Sequence, residues 1–433
     1  MDETGRVLNR PWSIVLGAVV ILSTSVRTSA QPAAQPPQVR ITLDQAIDMA
    51  LRHNHALLAA RTTIQENQAL EITANLRPNP VLLGDAQFLP IFQWSNFNSD
   101  YFENSAQFDA GVSYLFERGQ KRQHRLQAAR DQTAVVTAQV SDNERTLTFT
   151  VATQFNAVLL AQADLDFAER DLASFQQTVD IGQASFNAGS LSQGDLLKIK
   201  LQLLQFQMDV SAARLARVQA LASLRQLLGY ESIPDNYAVD GTLVYQPLGL
   251  AQADLQAMAL RQRPDLRAAQ LGVTAAQSQF SLAQANGKRD LTAQFSASHV
   301  AASTTGSLFA NMEIPLFDHN QGEIARTRIA ITQSQELSSE QSSIVLTDVT
   351  NAYEALRASD EVVKLYQSGY LKNAEDSRDI SHYAYQRGSA SLLDFLDAER
   401  TYRGTQLAYL QALATYMGAL EQLREAVGTR SLP

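Results

Sequence analysis

Two spacings in this 433-residue sequence invite a chemical reading: His53 and His55, two apart, and Asp394 and Asp397, three apart. Residues two apart on a helix point in different directions, so the histidines make a poor metal pair and read better as surface or interface residues. The two aspartates share a helix face, where neighbouring like charges raise one another's pKa and attract cations. A plainer reading stands beside it, in which Asp394 suits the dipole of a helix start and Asp397 is a solvated carboxylate. The six histidines are dispersed, cysteine is absent, and no phosphate loop, HExxH or nucleophile-elbow motif occurs. The charged run DLDFAERD, Asp164 to Asp171, reads as the solvated face of a helix. No catalytic, cofactor-binding or metal-binding residues are therefore expected, no cofactor is implied, and the chain does not read as an enzyme.

The elements that carry these residues follow from composition and period. Ala, Leu, Gln and Arg supply much of the chain, and all are good helix formers, so long helices are expected. The net charge is −9, with basic residues scattered rather than massed in a stripe, which argues against a nucleic-acid partner. Arg6 and Arg10 precede the apolar run Trp12 to Leu22 and the small residues Thr28-Ser29-Ala30, which predicts an export signal over 1–30. A flexible or polyproline-like leader, 31–40, follows. Without cysteine there is no disulfide and no lipid-modified cysteine, so membrane attachment has to come from the fold. No later run approaches 18 apolar residues, and a bilayer would have to be crossed by strands.

The sequence repeats itself. MALRHNHALLAA (Met49–Ala60) matches MALRQRPDLRAA (Met258–Ala269), YLFERGQKR (Tyr114–Arg122) matches PLFDHNQGE (Pro315–Glu323), and FNAGSLSQGD (Phe186–Asp195) matches YQRGSASLLD (Tyr385–Asp394). Three matches in one order predict two structural repeats, 41–235 and 250–428, joined by a linker, 236–249, and closed by a tail, 429–433.

Each repeat opens with one helix. Thr42 can cap the first, with Asp44 in its first turn, and RPNP (Arg77–Pro80) stops it; the second runs from Leu255 to Ala285 and Gly287 ends it. The period then becomes alternating in AQFDAGVSYLF (Ala106–Phe116), LTAQFSASHVA (Leu291–Ala301) and LFANMEI (Leu308–Ile314), and more weakly from Val81 to Trp94, where Pro90 interrupts. These predict β-hairpins over 81–117 and 289–317. Their length and dyad pattern match outer-membrane strands, and four strands are too few to close a barrel, so other protomers must supply the rest. Long helical hairpins follow, 119–228 and 320–427, each turning at a Gly-Ser tip. There Gly189 or Gly388 can end one helix in the left-handed conformation, and Ser192 or Ser391 can cap the next. The many alanines on these helices allow close approach on more than one side, as in a curved wall.

The TLDQAIDMALRHNHALLAAR opening, the RPNP stop, the strand pairs, the duplication and both Gly-Ser turns together resemble the outer membrane efflux protein family, the TolC-like exit ducts, over nearly the whole mature chain. The resemblance implies a mainly α fold with a small β part. Duplicated helical hairpins form an α-barrel, and four strands per protomer join a trimeric twelve-stranded barrel in outer-membrane lipid. It implies a homotrimer with a long periplasmic extension, a periplasmic adaptor, and an inner-membrane transporter of the resistance-nodulation-division type. FERGQKR (Phe116–Arg122) and IPLFDHNQGEIA (Ile314–Ala325) look most like the branch serving cobalt-zinc-cadmium and copper-silver exporters. By the same resemblance, Gly189, Ser190, Gly388 and Ser389 are expected to contact adaptor hairpins, and Asp394 and Asp397 to form acidic rings that constrict the pore. Some relatives carry a basic gating residue two positions after the tip glycine; this sequence has Ala390 there.

Two alternatives remain open at this point. A multidrug or small-molecule duct of the same family would share every one of these features, and a non-pore periplasmic coiled-coil scaffold would explain the helices but leave the strand pairs without a purpose.

Overall fold

The computed structural model describes residues 38–247, 249 and 251–432; the expected signal, 1–30, lies outside the described residues. The last two residues of the expected leader and the first of the expected repeat form a strand, β1 (Val39–Ile41). Thr42 then caps α1 (Leu43–His53) with a reciprocal capping box to Gln45. The expected single opening helix is in fact two, because Asn54 leaves the helical conformation and caps α2 (His55–Ala74) by accepting from the Leu57 amide. RPNP leads into β2 (Val81–Gln87), which ends short of Pro90. A short helix, α3 (Ser99–Asn104), occupies the connection to β3 (Gln107–Phe116).

The first long hairpin is α4 (Lys121–Asn187) and α5 (Gln193–Leu228). At about 1.5 Å per residue, the 67 residues of α4 span on the order of 100 Å without a break. The expected linker contains β4 (Tyr237–Val239), which pairs in parallel with β1, so both ends of the first repeat are tied together. The second repeat follows the same order: α6 (Gln252–Gln262), α7 (Pro264–Asn286), β5 (Leu291–Val300), β6 (Ser303–Met312) and α8 (Gln321–Leu365). A π-helical turn, Tyr366–Tyr370, interrupts what was expected to be continuous helix; α9 (Leu371–Gln386) and α10 (Leu392–Val427) complete the hairpin.

The duplication extends to packing. Asn54 Nδ2 donates to the Leu227 carbonyl at 2.9 Å, and Arg263, which breaks the second opening helix, donates through Nη1 to the Ala426 carbonyl at 3.2 Å. Both carbonyls stand just before a glycine that ends the returning helix, Gly229 or Gly428, and both glycines have positive φ. A Cβ on Gly229 would lie 2.6 Å from the His53 carbonyl oxygen, so the close approach of the kink to the helix end requires glycine there. Two equivalent apolar cores sit at this level. One gathers Ile47, Phe155, Leu224 and Leu228, and the other Leu255, Val349, Tyr416 and Leu423.

β2, β3, β5 and β6 form one antiparallel sheet in the order β2-β3-β5-β6. The β3–β5 ladder joins the hairpins of the two repeats along ten residue pairs, from Gln107↔Val300 to Phe116↔Leu291. Among the described residues, no helix is long and apolar enough to cross a membrane.

Candidate functional site

The two hairpin tips share one backbone turn. Gly189 and Gly388 hold φ of 76° and 71°. At the first tip the Gly189 amide donates to the Phe186 carbonyl and the Ser190 amide to the Ser185 carbonyl, each at 2.9 Å. At the second, the Gly388 amide donates to Tyr385 at 3.0 Å and the Ser389 amide to Ala384 at 2.9 Å. These paired bonds are the Schellman arrangement, which satisfies carbonyls that a helix end leaves without partners. Ser190 and Ser389 add a hydroxyl bond to the same carbonyls, Ser185 and Ala384, at 3.0 Å. Ser192 and Ser391 cap the returning helices; such caps are worth about 1 kcal/mol each. A Cβ at Gly189 or Gly388 would meet no described atom within 4 Å, so both tips present open backbone.

The aspartates beyond the second tip part company. Asp394 Oδ2 accepts from the Ser391 hydroxyl at 2.7 Å and from the Ser391 amide at 3.1 Å, closing a capping box. The Ser391 hydroxyl, then its amide, hold the Asp394 carboxyl below its ordinary range, whereas crowding by a neighbouring carboxylate would raise it. Asp397 is exposed and pairs with Arg400 at 3.2 Å. Asp195 repeats the cap at the first tip, where Ser192 and then Lys198 lower its pKa.

Behind the tips, Phe175, Val179, Ile199, Phe206, Leu392 and Phe395 form one buried cluster contributed by α4, α5 and α10, so the far ends of the two hairpins pack together. Phe175 and Phe206 stack at 4.4 Å. The run Asp164–Asp171 is a solvated face only in part: Asp166, Glu169 and Arg170 are exposed, but Leu165, Ala168 and Asp171 are buried, and Asp171 pairs with Arg403 of α10. His55 stands 3.3 Å from Glu231, and no cluster of histidines and carboxylates among the described residues could hold a metal.

At the opposite end, strand register sorts the sheet into two faces. One carries Leu82, Phe108, Val112, Phe116, Leu291, Phe295, Leu308 and Met312 as cross-strand neighbours. All eight of these side chains are exposed in the protomer. The other face carries Asp85, Gln107, Asp109, Ser113, Gln294, Ser298 and Ser307. An apolar outer face opposite a polar one is the pattern of a membrane-spanning barrel with an aqueous lumen. Among the described residues, the outer edges of β2 and β6 have no strand partner. A second exposed apolar feature runs along α5, where Leu197, Leu201, Leu204, Met208, Leu215 and Val218 recur at steps of three, four or seven residues. That is the seam of a helix made to pack on another.

Lipid-facing strands continued by a wall of long helices define an outer-membrane duct component. The chain belongs to the outer membrane efflux protein family, whose sequence model matches residues 46–230 and 255–429. It is accordingly an outer-membrane efflux protein, of a family of transport proteins rather than enzymes.

Among its relatives is the cobalt-zinc-cadmium resistance protein CzcC of Cupriavidus metallidurans, 24% identical over 394 residues, covering 90% of this chain and 88% of that protein. The cation efflux system protein CusC of Escherichia coli is 25% identical over 386 residues, covering 84% and 81%. The pyoverdine export outer membrane protein OpmQ of Pseudomonas aeruginosa is 24% identical over 412 residues, covering 89% and 85%. The fold matches a crystal structure of CusC with a TM-score of 0.73 at 21% identity, covering 92% of this chain and 96% of that one. It matches VceC of Vibrio cholerae with a TM-score of 0.71 at 18% identity, covering 89% and 96%.

Proposed function

We propose that three copies of this chain assemble into the exit duct of a tripartite efflux pump. The duct receives cargo from a periplasmic adaptor and an inner-membrane transporter of the resistance-nodulation-division type, and its cargo is heavy-metal cations. The observation that carries the trimer is the four-stranded sheet with two open edges and an apolar face. In lipid, unpaired backbone groups cost several kcal/mol each, and pairing β2 of one copy with β6 of the next removes them. Three copies give twelve strands. The α5 seam supports the same assembly, since its side chains are exposed among the described residues.

In this reading Gly189, Ser190, Gly388 and Ser389 are the adaptor contacts, six tips in a ring, and their open backbone suits close approach by a partner hairpin. Asp394 and Asp397 are the constriction; their carboxylates give the entrance a negative potential that favours cations. The names of CzcC and CusC support metal cargo, while the match to OpmQ supports a small-molecule duct. The test is complementation of a strain lacking its own duct, with the native adaptor and transporter supplied. Restored tolerance to cobalt, zinc, cadmium, copper or silver supports the metal reading, and restored export of organic compounds without metal tolerance supports the other.

A further inference from the structure

Where the sheet meets the long helices, this acidic chain turns basic. Residues 117–125 and 288–290 set Arg118, Lys121, Arg122, Arg125, Lys288 and Arg289 against Glu117 and Asp290, and Arg77 stands just before β2. The carboxylates are already engaged: Glu117 takes Arg125 at 2.7 Å, Asp290 takes Lys121 at 2.8 Å, and Arg289 pairs with Glu313 at 3.1 Å. That leaves Arg77, Arg118, Arg122 and Lys288 without a carboxylate partner among the described residues. The other end of the sheet is the reverse. Its connection 88–106 holds Asp100 and Glu103 with no lysine or arginine, and Ala301-Ala302 turns β5 into β6.

A cavity of ≈ 260 Å³ opens at the basic end, lined by Arg77, Tyr114, Phe116, Lys121 and Arg122; Glu117, which also borders it, is the carboxylate that Arg125 holds. Tyr114 and Phe116 close the lipid-facing row of β3, their rings edge to face at 4.8 Å. Phe116, Leu291 and Met312 form the last rung of the apolar face. Arg118 reaches that rung, with Nη1 3.4 Å from Met312 Sδ, and Arg122 Nη1 stands 3.5 Å from the Asn75 carbonyl oxygen. Cations beside aromatic rings, at the line where an apolar face stops, suit the headgroup level of a bilayer. Lys121 and Arg122 also open α4, which no side chain caps, so the helix dipole adds to the positive potential.

The fold does not require these charges. In the matched run of the second repeat, His319, Gly322 and Glu323 stand where Arg118, Lys121 and Arg122 stand in the first. Yet α8 starts just as α4 does, from a residue of positive φ, Asn320 or Gln120, that makes no side-chain cap. One repeat has gathered cations at a turn that the other builds without them.

We propose that this rim binds the headgroup phosphate of an anionic glycerophospholipid in the periplasmic leaflet of the outer membrane. The long helices leave from this end of the sheet, so it is the end that meets that leaflet. The phosphate sits between the Arg77 and Arg122 guanidinium groups, whose planar forks match its oxygens, and the acyl chains lie along Val112, Phe116 and Leu291. A zwitterionic headgroup brings its own cation and gains less from the rim. Free phosphate has no chains for the apolar face to hold. The site rests on the sheet's lying in lipid, and neither adaptor, transporter nor cargo enters it, so its failure would leave the proposed pump role standing.

The test is native mass spectrometry of the full chain purified in a neutral detergent, titrated with phosphatidylglycerol or phosphatidylcholine of identical acyl chains. A cation at an anionic lipid surface is worth a factor of about five in binding, so two give a preference for phosphatidylglycerol of about tenfold or more. Arg77→Gln with Arg122→Gln should bring the two lipids within about twofold, while Arg77→Lys with Arg122→Lys keeps most of the preference. Arg267→Gln with Arg357→Gln, which removes two exposed charges from the helices, should keep all of it. Inorganic phosphate should compete no better than chloride at equal ionic strength. Equal retention of both lipids by the wild-type chain, an undiminished preference in the Arg77→Gln, Arg122→Gln variant, its loss in the Arg267→Gln, Arg357→Gln variant, or selective displacement by inorganic phosphate would each overturn the lipid site.

Discussion

Replacing the tip glycines by asparagine separates what the turn requires from what a partner requires. An ordinary L-residue at the φ of Gly189 or Gly388 costs about 1–2 kcal/mol, and asparagine, which visits the left-handed region more readily, costs less. Because a Cβ at either site meets nothing within 4 Å, no steric cost adds to this. Against it stand the buried cluster behind the tips and the stacked Phe175–Phe206 pair, itself worth about 0.5–1.5 kcal/mol beyond its area. The double variant Gly189→Asn, Gly388→Asn is therefore expected to fold and reach the outer membrane as wild-type trimer. If the tips are the proposed adaptor contacts, its side chains would stand in the way of a partner backbone, and export should fall to the level of a deletion. The assay pairs trimer abundance in outer-membrane fractions with tolerance of the complemented strain to the exported compound. Normal export would refute the tip contact, and failure to assemble would assign the glycines to folding alone.

Removing the acidic pair, Asp394→Ala with Asp397→Ala, should raise single-channel conductance and lower cation selectivity; unchanged conductance rejects the constriction. Gly111→Val should abolish trimer assembly, since a Cβ there lies 2.6 Å from the Phe295 carbonyl oxygen and 2.9 Å from Ser296 Cβ across the β3–β5 ladder. Gly84→Ala, whose Cβ would sit 3.8 Å from the Asp109 carbonyl oxygen, should assemble; equal yields from the two would show that this close approach does not matter. Leu201→Asp with Leu204→Asp should leave the protomer folded but disperse the trimer in detergent. Each buried leucine contributes about 1.5–3 kcal/mol, and both are exposed until a neighbour covers them. Intact trimers by mass measurement would remove the α5 seam from the interface.

What could be read in advance was local. The Gly-Ser turns, the Thr42 cap and the alternation of strand residues depend on neighbours within a few positions, and each was legible from residue type and spacing. The break at Asn54 carried a signal that went unread: asparagine is a preferred cap, and its counterpart Arg263 is followed by Pro264, a helix-start residue. The π-helical turn left only Gly369 as a mark, and a lone glycine inside a helical pattern is tolerated. The burial of Asp171 is not legible locally because it pairs with Arg403, more than 220 residues away in sequence. Helical period alone does not tell which polar face will meet a neighbour. The pairing of Val39–Ile41 with Tyr237–Val239 is of the same long-range kind.

The central claim is that copies of this chain close a continuous water-filled tube across the outer membrane. Its most direct test is single-channel recording from the purified mature protein in a planar bilayer, with particle mass measured on the same sample. Discrete, uniform conductance steps from a particle of three-chain mass are predicted. A stable monomer that remains in water without detergent and conducts nothing would contradict the account.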